Sequence, residues 1–71
     1  MKKVIIIEGM TCGHCVKRVE NALREINGIE KVEIILDQEK AIIEGSDSVD
    51  DEKIIFEIDD AGYKVVTISN M

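Results

Sequence analysis

The sequence predicts an α+β fold of order βαββαβ, on three observations. Short β-branched runs with two-residue alternation occur in four places, and two longer stretches repeat apolar residues at spacings of three and four. In addition, Ile6-Ile7-Glu8-Gly9 returns as Ile42-Ile43-Glu44-Gly45. Each copy is followed by a loop, a helical stretch, a Gly and another strand. Two βαβ halves of this kind pack as a split βαβ, or ferredoxin-like, unit. Right-handed crossovers then place both helices on one face of a four-stranded antiparallel sheet.

Residues 3–8 read as the first strand, with Ile5 and Ile7 on one side and Ile6 and Glu8 on the other. A loop follows, and a helix is predicted from Gly13 to Ile26. Val16, Val19, Leu23 and Ile26 form its apolar stripe, while Lys17, Arg18, Glu20, Arg24 and Glu25 take the opposite face. Gly28 suits the left-handed conformation that closes a helix. Residues 30–36 form the second strand, with Val32, Ile34 and Leu36 on one face. Asp37-Gln38-Glu39 is a polar turn, and residues 40–45 return as the third strand. Ser48 or Asp50 caps a second helix, which reaches Ala61 with Ile54, Ile55 and Ile58 inward. Gly62 ends it, and residues 63–68 form the last strand. By parity Ile6, Ile35 and Ile42 share the sheet face away from the helices and are expected to be exposed there.

With 71 residues, the chain reads as one domain over 1–71. A chain this short buries only about 60% of its unfolded surface, so its chemistry is expected at the surface rather than in a deep pocket. The net charge is −6, from 15 acidic and 9 basic residues. That balance opposes binding to nucleic acid, which depends on neutralising phosphates, and to anionic membrane surfaces. The longest early apolar run, Val4–Ile7, is far below the roughly 7–15 residues of a secretory core. No stretch approaches the roughly 20 apolar residues of a membrane span. The chain therefore reads as cytoplasmic. There, two cysteines suggest metal ligands or redox thiols rather than a structural disulfide.

Cys12-Gly13-His14-Cys15 sits at a strand-to-helix junction, where two intervening residues let both sulfurs converge on one point. The orphan N–H groups and positive dipole of a helix start favour thiolate, the species that binds metal. Gly13 allows close approach of the loop backbone. Two thiolates suit a soft ion of low coordination number, and Cu(I) fits best. Structural Zn(II) wants four protein ligands, and this chain offers two Cys and one His. The residues alone leave open a redox dithiol and a pair of inert buried thiols. The repeat serves as a control: the second junction, Ser46–Asp51, has no cysteine. The fold does not require cysteines there, so those in the first half are better explained by chemistry.

Gly9-Met10-Thr11-Cys12-Gly13-His14-Cys15 resembles the signature loop of the heavy-metal-associated domain family, and the whole chain is similar to its copper chaperones of the CopZ type. Ala61-Gly62-Tyr63 and the overall length extend the match. The resemblance implies a surface Cu(I) site at Cys12 and Cys15. It further implies docking on a similar domain of a copper-transporting P-type ATPase, with the ion passed by ligand exchange through three-coordinate intermediates. The apo chain is expected to be a monomer without enzymatic activity, and a metal-bridged dimer is compatible with the site.

The resemblance makes Met10 a core plug that anchors the loop, and Tyr63 a shield beside it. Thr11 is expected to brace Cys12 through the loop backbone, or simply to be exposed. His14 is expected to point to solvent rather than ligate. Lys17 and Arg18 are placed to offset the charge of a bis-thiolate site, or merely solvate the helix. Alternatives are a detached ATPase domain, or the same fold carrying mercury, silver, cadmium or zinc. Zinc-preferring relatives often add a carboxylate near the cysteines, whereas the nearest acids here are Glu8 and Glu20. A thiol–disulfide oxidoreductase is a remote alternative, since such folds carry a cis-Pro and typically a Trp, and this chain has no Pro and no Trp.

Overall fold

A computed structural model describes residues 1–71. Alternation decides the sheet. In β1 (Lys2–Glu8) Ile5 and Ile7 are fully buried, and in β3 (Lys40–Gly45) so are Ala41 and Ile43. These two strands pair antiparallel with Ile5 opposite Ala41 and Lys3 opposite Ile43. β2 (Ile29–Ile35) adds outside β3, with Val32 opposite Ile43 and Ile34 opposite Ala41, so the same face stays apolar. β4 (Lys64–Asn70) adds outside β1, with Ile68 opposite Ile5 and Val65 opposite Ile7. The spatial order is β2-β3-β1-β4, the split βαβ arrangement.

Both helices cover that apolar face. α1 (Gly13–Arg24) contributes Val19 and Leu23, and α2 (Asp51–Asp60) contributes Ile54 and Ile58, each pair buried. Ile26, Val49 and Met10 complete one continuous cluster, which contains no polar or charged side chain. Each fully buried Ile or Leu contributes roughly 1.5–3 kcal/mol, so this cluster outweighs any surface ion pair. No helix is long and apolar enough to cross a membrane.

Several boundaries differ from the sequence reading, each for a physical reason. α1 stops at Arg24 rather than Ile26, and Glu25 is its C-cap. Ile26 is buried all the same, because the chain turns it back under the helix before Gly28 takes φ +99°. The polar turn is a short 3₁₀ segment, Leu36–Gln38, closed by Glu39 at φ 50°. The residue preceding α2 is Asp50, and neither it nor Ser48 caps the helix through a side-chain hydrogen bond; Ser48 bonds to Ser46 instead. Ile55 is 46% exposed, not inward. A ten-residue helix against the sheet buries the i, i+4 pair Ile54 and Ile58, and Ile55 lies about 100° round from Ile54. β4 continues to Asn70, because Ser69 and Asn70 find partners in Val4 and Lys3.

On the uncovered face Ile6, Ile35 and Ile42 are half-buried rather than fully exposed. Long neighbours shelter them: Lys40 stands opposite both Ile6 and Ile35, and Glu33 stands opposite Ile42. Lys2 and Lys31 flank Glu44 in the next row, which alternates charge across three strands.

The repeated Gly45 is fixed by close approach. A Cβ there would lie 2.0 Å from the Gly28 carbonyl oxygen. That carbonyl also accepts the Ser46 N–H at 2.7 Å, so it cannot retreat without breaking the turn. Gly45→Ala is expected to destabilise the fold by about 3 kcal/mol. Gly13→Ala, where a Cβ meets nothing within 4 Å, is expected to leave stability nearly unchanged. Urea denaturation of the two variants checks this; equal midpoints would show that the Gly28–Gly45 contact is not what fixes the turn.

Candidate metal site

The cysteine loop is positioned by what lies on either side of it. β1 ends at Glu8, and Gly9 turns the chain at φ +101° with Tyr63 packed beside it. Met10 is 3% exposed and belongs to the core, so it pins the loop to the fold as the resemblance implies. Thr11, Cys12, Gly13 and His14 are exposed, and Cys15 is half-buried.

Cys12 is the N-cap of α1, extended at φ −158° and ψ 173°. Its carbonyl accepts the N–H groups of Cys15 at 3.0 Å and Val16 at 3.2 Å. Its thiol makes no capping bond. An N-cap without a hydroxyl, amide or carboxylate costs about 1 kcal/mol, so this position is not optimised for stability. The first turn of α1 also holds no acidic residue, whereas α2 opens with Asp51 and Glu52 after Asp50. The positive end of α1 is thus left to the two sulfurs.

The two sulfurs lie 3.6 Å apart. At a metal–sulfur length of about 2.3 Å, that spacing spans an S–metal–S angle of roughly 103°. A linear arrangement needs the sulfurs about 4.6 Å apart, a change that thiol rotation can supply at an exposed loop. The donor set therefore fits one soft ion of low coordination number. No group of three or more His, Cys, Asp or Glu side chains comes together anywhere in the chain. His14 is exposed and is not gathered with the cysteines.

Thr11 is exposed, one of its two expected placements. Its hydroxyl lies 3.9 Å from the Cys15 sulfur, so the side chain it faces is Cys15 rather than Cys12. The i, i+4 spacing across the helix start carries that signal. The Cys15 thiol is lowered from 9.0 to about 6. The Tyr63 hydroxyl, acting on its sulfur, is the largest cause, and the Thr11 backbone N–H follows. Partial desolvation works the other way, while the side chains of Cys12 and Thr11 add smaller help. The same interaction raises the Tyr63 phenol above its ordinary 10.0. Arg18 also acts on Tyr63, a link that sequence gives no means of finding.

Because the native Cys15 releases its proton near pH 6 and the unfolded one near 9.0, the unfolded chain holds more protons between those values. The thiolate's contribution to stability is present in full above 9.0 and is lost as pH falls through about 6. Alkylation of Cys15 by iodoacetamide, followed by mass spectrometry, is expected to show a midpoint near pH 6. Tyr63→Phe should move that midpoint upward, toward 9.0. An unchanged midpoint would remove Tyr63 from its role.

Comparison with known proteins agrees with this geometry. Residues 4–64 match the heavy-metal-associated domain. The copper chaperone CopZ of Enterococcus hirae is 36% identical over 69 residues, covering 96% of this chain and 100% of that protein. Copper-transporting ATPase 1 of Rhizobium meliloti is 45% identical over 67 residues, covering 89% of this chain but 8% of the transporter. A solved CopZ metallochaperone superposes with a TM-score of 0.88 at 34% identity, covering 93% of this chain and 100% of the other. On the match over residues 4–64, the shared fold and the cysteine pair at the start of α1, the chain belongs to the heavy-metal-associated domain family.

Proposed function

We propose that this chain is a cytoplasmic metallochaperone, one domain over residues 1–71, which carries a single Cu(I) on Cys12 and Cys15. It delivers the ion to a metal-binding domain of a copper-transporting P-type ATPase. The observation that carries this reading is the pair of sulfurs 3.6 Å apart at an exposed helix start with no third ligand gathered around them. Two thiolates hold a soft ion firmly, and an open coordination sphere lets an incoming thiolate attack. Each step forms one Cu–S bond and breaks another, so copper stays Cu(I) and no free ion appears. The proton of an incoming thiol passes to solvent or to the departing sulfur. The activity is binding and transfer rather than catalysis, and the apo protein acts as a monomer.

A second reading is a metal-binding domain belonging to such a transporter. The 45% identity to a segment making up 8% of a copper-transporting ATPase favours it. Cargo and ligands are the same on both readings.

An anaerobic competition titration against a chromophoric Cu(I) chelator tests the cargo. One Cu(I) per reduced chain is expected, with Zn(II) bound much more weakly. Cys12→Ser and Cys15→Ser should each weaken Cu(I) binding by more than the roughly 10–100-fold that follows loss of a ligand's hydrogen-bonding partner. Both variants should keep the circular dichroism of the parent, since neither residue belongs to the buried core. Zn(II) outcompeting Cu(I) in the parent would overturn the copper assignment. Parent-like affinity in either variant would overturn the ligand assignment.

A further inference from the structure

Asn27-Gly28 is the one Asn-Gly pair in the chain, and it occupies the turn between α1 and β2. The Ile29 N–H donates to the Ile26 carbonyl at 3.2 Å, and Gly28 stands at φ +99°. This is a β-turn of the kind that requires a left-handed third residue. Asn27 is exposed, and its side-chain amide makes no hydrogen bond within the chain. The Gly28 N–H likewise donates to no carbonyl, although the Gly28 carbonyl accepts the Ser46 N–H at 2.7 Å. A free N–H thus lies next to a free amide, and Gly28 has no side chain to hinder their approach.

The chain's other two asparagines lack that arrangement. Asn21 is followed by Ala22 within the hydrogen-bonded ladder of α1. Asn70 is followed by Met71, whose N–H donates to the Lys2 carbonyl at 2.9 Å. The internal repeat supplies a third comparison. α2 is closed by the same device, Gly62 at φ +98°, but the residue before it is Ala61, and the Gly62 N–H donates to the Asp59 carbonyl at 3.0 Å. Closing a helix in this fold therefore requires the Gly, but neither an Asn before it nor a free N–H.

We propose that Asn27 is a site of spontaneous covalent modification in the folded protein, deamidating through a succinimide to aspartate and isoaspartate. Hydroxide takes the Gly28 N–H proton, and the nitrogen attacks the Asn27 Cγ. The N–Cγ bond forms, the Cγ–Nδ2 bond breaks, and ammonia leaves with a proton from water. A water molecule then opens the ring. Its attack at Cγ gives aspartate, and its attack at the main-chain carbonyl carbon of residue 27 gives isoaspartate, in which the chain runs through the side chain. Overall one water enters and one ammonia leaves, with no change of oxidation state. Either product adds a negative charge to a chain whose net charge is −6. Isoaspartate also inserts a methylene into the backbone between Ile26, which is buried, and Gly28, whose carbonyl is wedged against Gly45. A turn closed by the Ile26–Ile29 and Gly28–Ser46 bonds has no room for that extra atom. These contacts lie at the end of the sheet where β1 begins, beside the bond from the Gly45 N–H to the Met1 carbonyl. The cysteine loop follows the opposite end of β1. The modification therefore marks aged molecules by loosening one end of the fold and leaves the cysteines as they were.

The test holds the reduced protein for days in buffers from neutral to mildly alkaline pH and follows its tryptic peptides by mass spectrometry. The three asparagines fall on separate peptides, Val19–Arg24, Glu25–Lys31 and Val65–Met71. Glu25–Lys31 should gain the mass of an amide-to-acid change and split into two chromatographic products, one of them a substrate for an isoaspartyl methyltransferase added as a probe. Its rate should rise with hydroxide and exceed those of Asn21 and Asn70 by about tenfold or more, because structure protects the N–H groups that follow them. Unfolding in guanidinium chloride should speed the other two but change the Asn27 rate by less than about threefold. Asn27→Gln should abolish conversion in this peptide. The purified isoaspartate form should unfold at a lower denaturant midpoint than the parent and keep parental reactivity of Cys15 toward iodoacetamide. Equal rates at the three asparagines of the native protein, or conversion of Asn27 only on unfolding, would overturn the proposal. An isoaspartate form as stable as the parent would overturn the loosening of the turn, and altered Cys15 reactivity would overturn its confinement to one end of the fold.

Discussion

The structure depends on one constraint: a single sheet face must be covered, and the cover must be wholly apolar. Ile5, Ile7, Ala41 and Ile43 supply the floor, and Val19, Leu23, Ile54 and Ile58 supply the lid. A core of eleven residues has no room for a buried charge, since desolvating one would cost more than such a cluster can spare. Polar chemistry is therefore confined to loops and helix faces. The same constraint makes the cysteine loop accurate. Met10 sinks into the core immediately after the turn at Gly9, so the exposed residues that follow start from a fixed point. The thiols lie at the surface, while the backbone that carries them follows directly on a core residue.

The two halves of the internal repeat show what the sequence spends on function. Both helices begin after the same kind of strand. α2 opens with Asp50, Asp51 and Glu52, which complement a helix start. α1 opens with Cys12, Gly13, His14 and Cys15, and has no carboxylate in its first turn. The anionic role passes from carboxylate to thiolate, and the proton affinity of Cys15 is lowered, first of all by the Tyr63 hydroxyl. Tyr63 and Thr11 reinforce it from two directions, one across the fold and one along the chain. Proton competition for Cys15 is thereby reduced at neutral pH, where the ordinary thiol would still be largely protonated.

Much of this was legible in the sequence because the deciding signals are periodic and local. Strand parity assigned Ile5 and Ile7 inward, and the three-four spacing found Val19 and Leu23. The recurrence of Ile-Ile-Glu-Gly gave the topology. What parity and spacing could not supply was the width of each contact. Ile55 looked like core because it neighbours Ile54, but α2 meets the sheet along a narrow stripe. The end of β4 was missed because Ser69 and Asn70 are extended by their partners on β1, not by their own propensity. At the site, Cys12 and Cys15 announced themselves by spacing. The action of Tyr63 on Cys15 joins residues far apart in sequence, and only the family resemblance placed them together.

Exposure of a reactive pair ordinarily invites side reactions, and a buried four-ligand site would hold metal more securely. Security is the wrong property for a carrier. A closed site releases its ion only after a bond has broken, so its tight binding becomes slow release. A two-thiolate site is under-coordinated, and an incoming thiolate can bond before the first sulfur leaves. On the proposed function, affinity and speed are then governed by different features. The thiolates and the groups that lower the Cys15 proton affinity set how firmly the ion is held. The surface around the loop sets how long a partner's sulfur stays within reach.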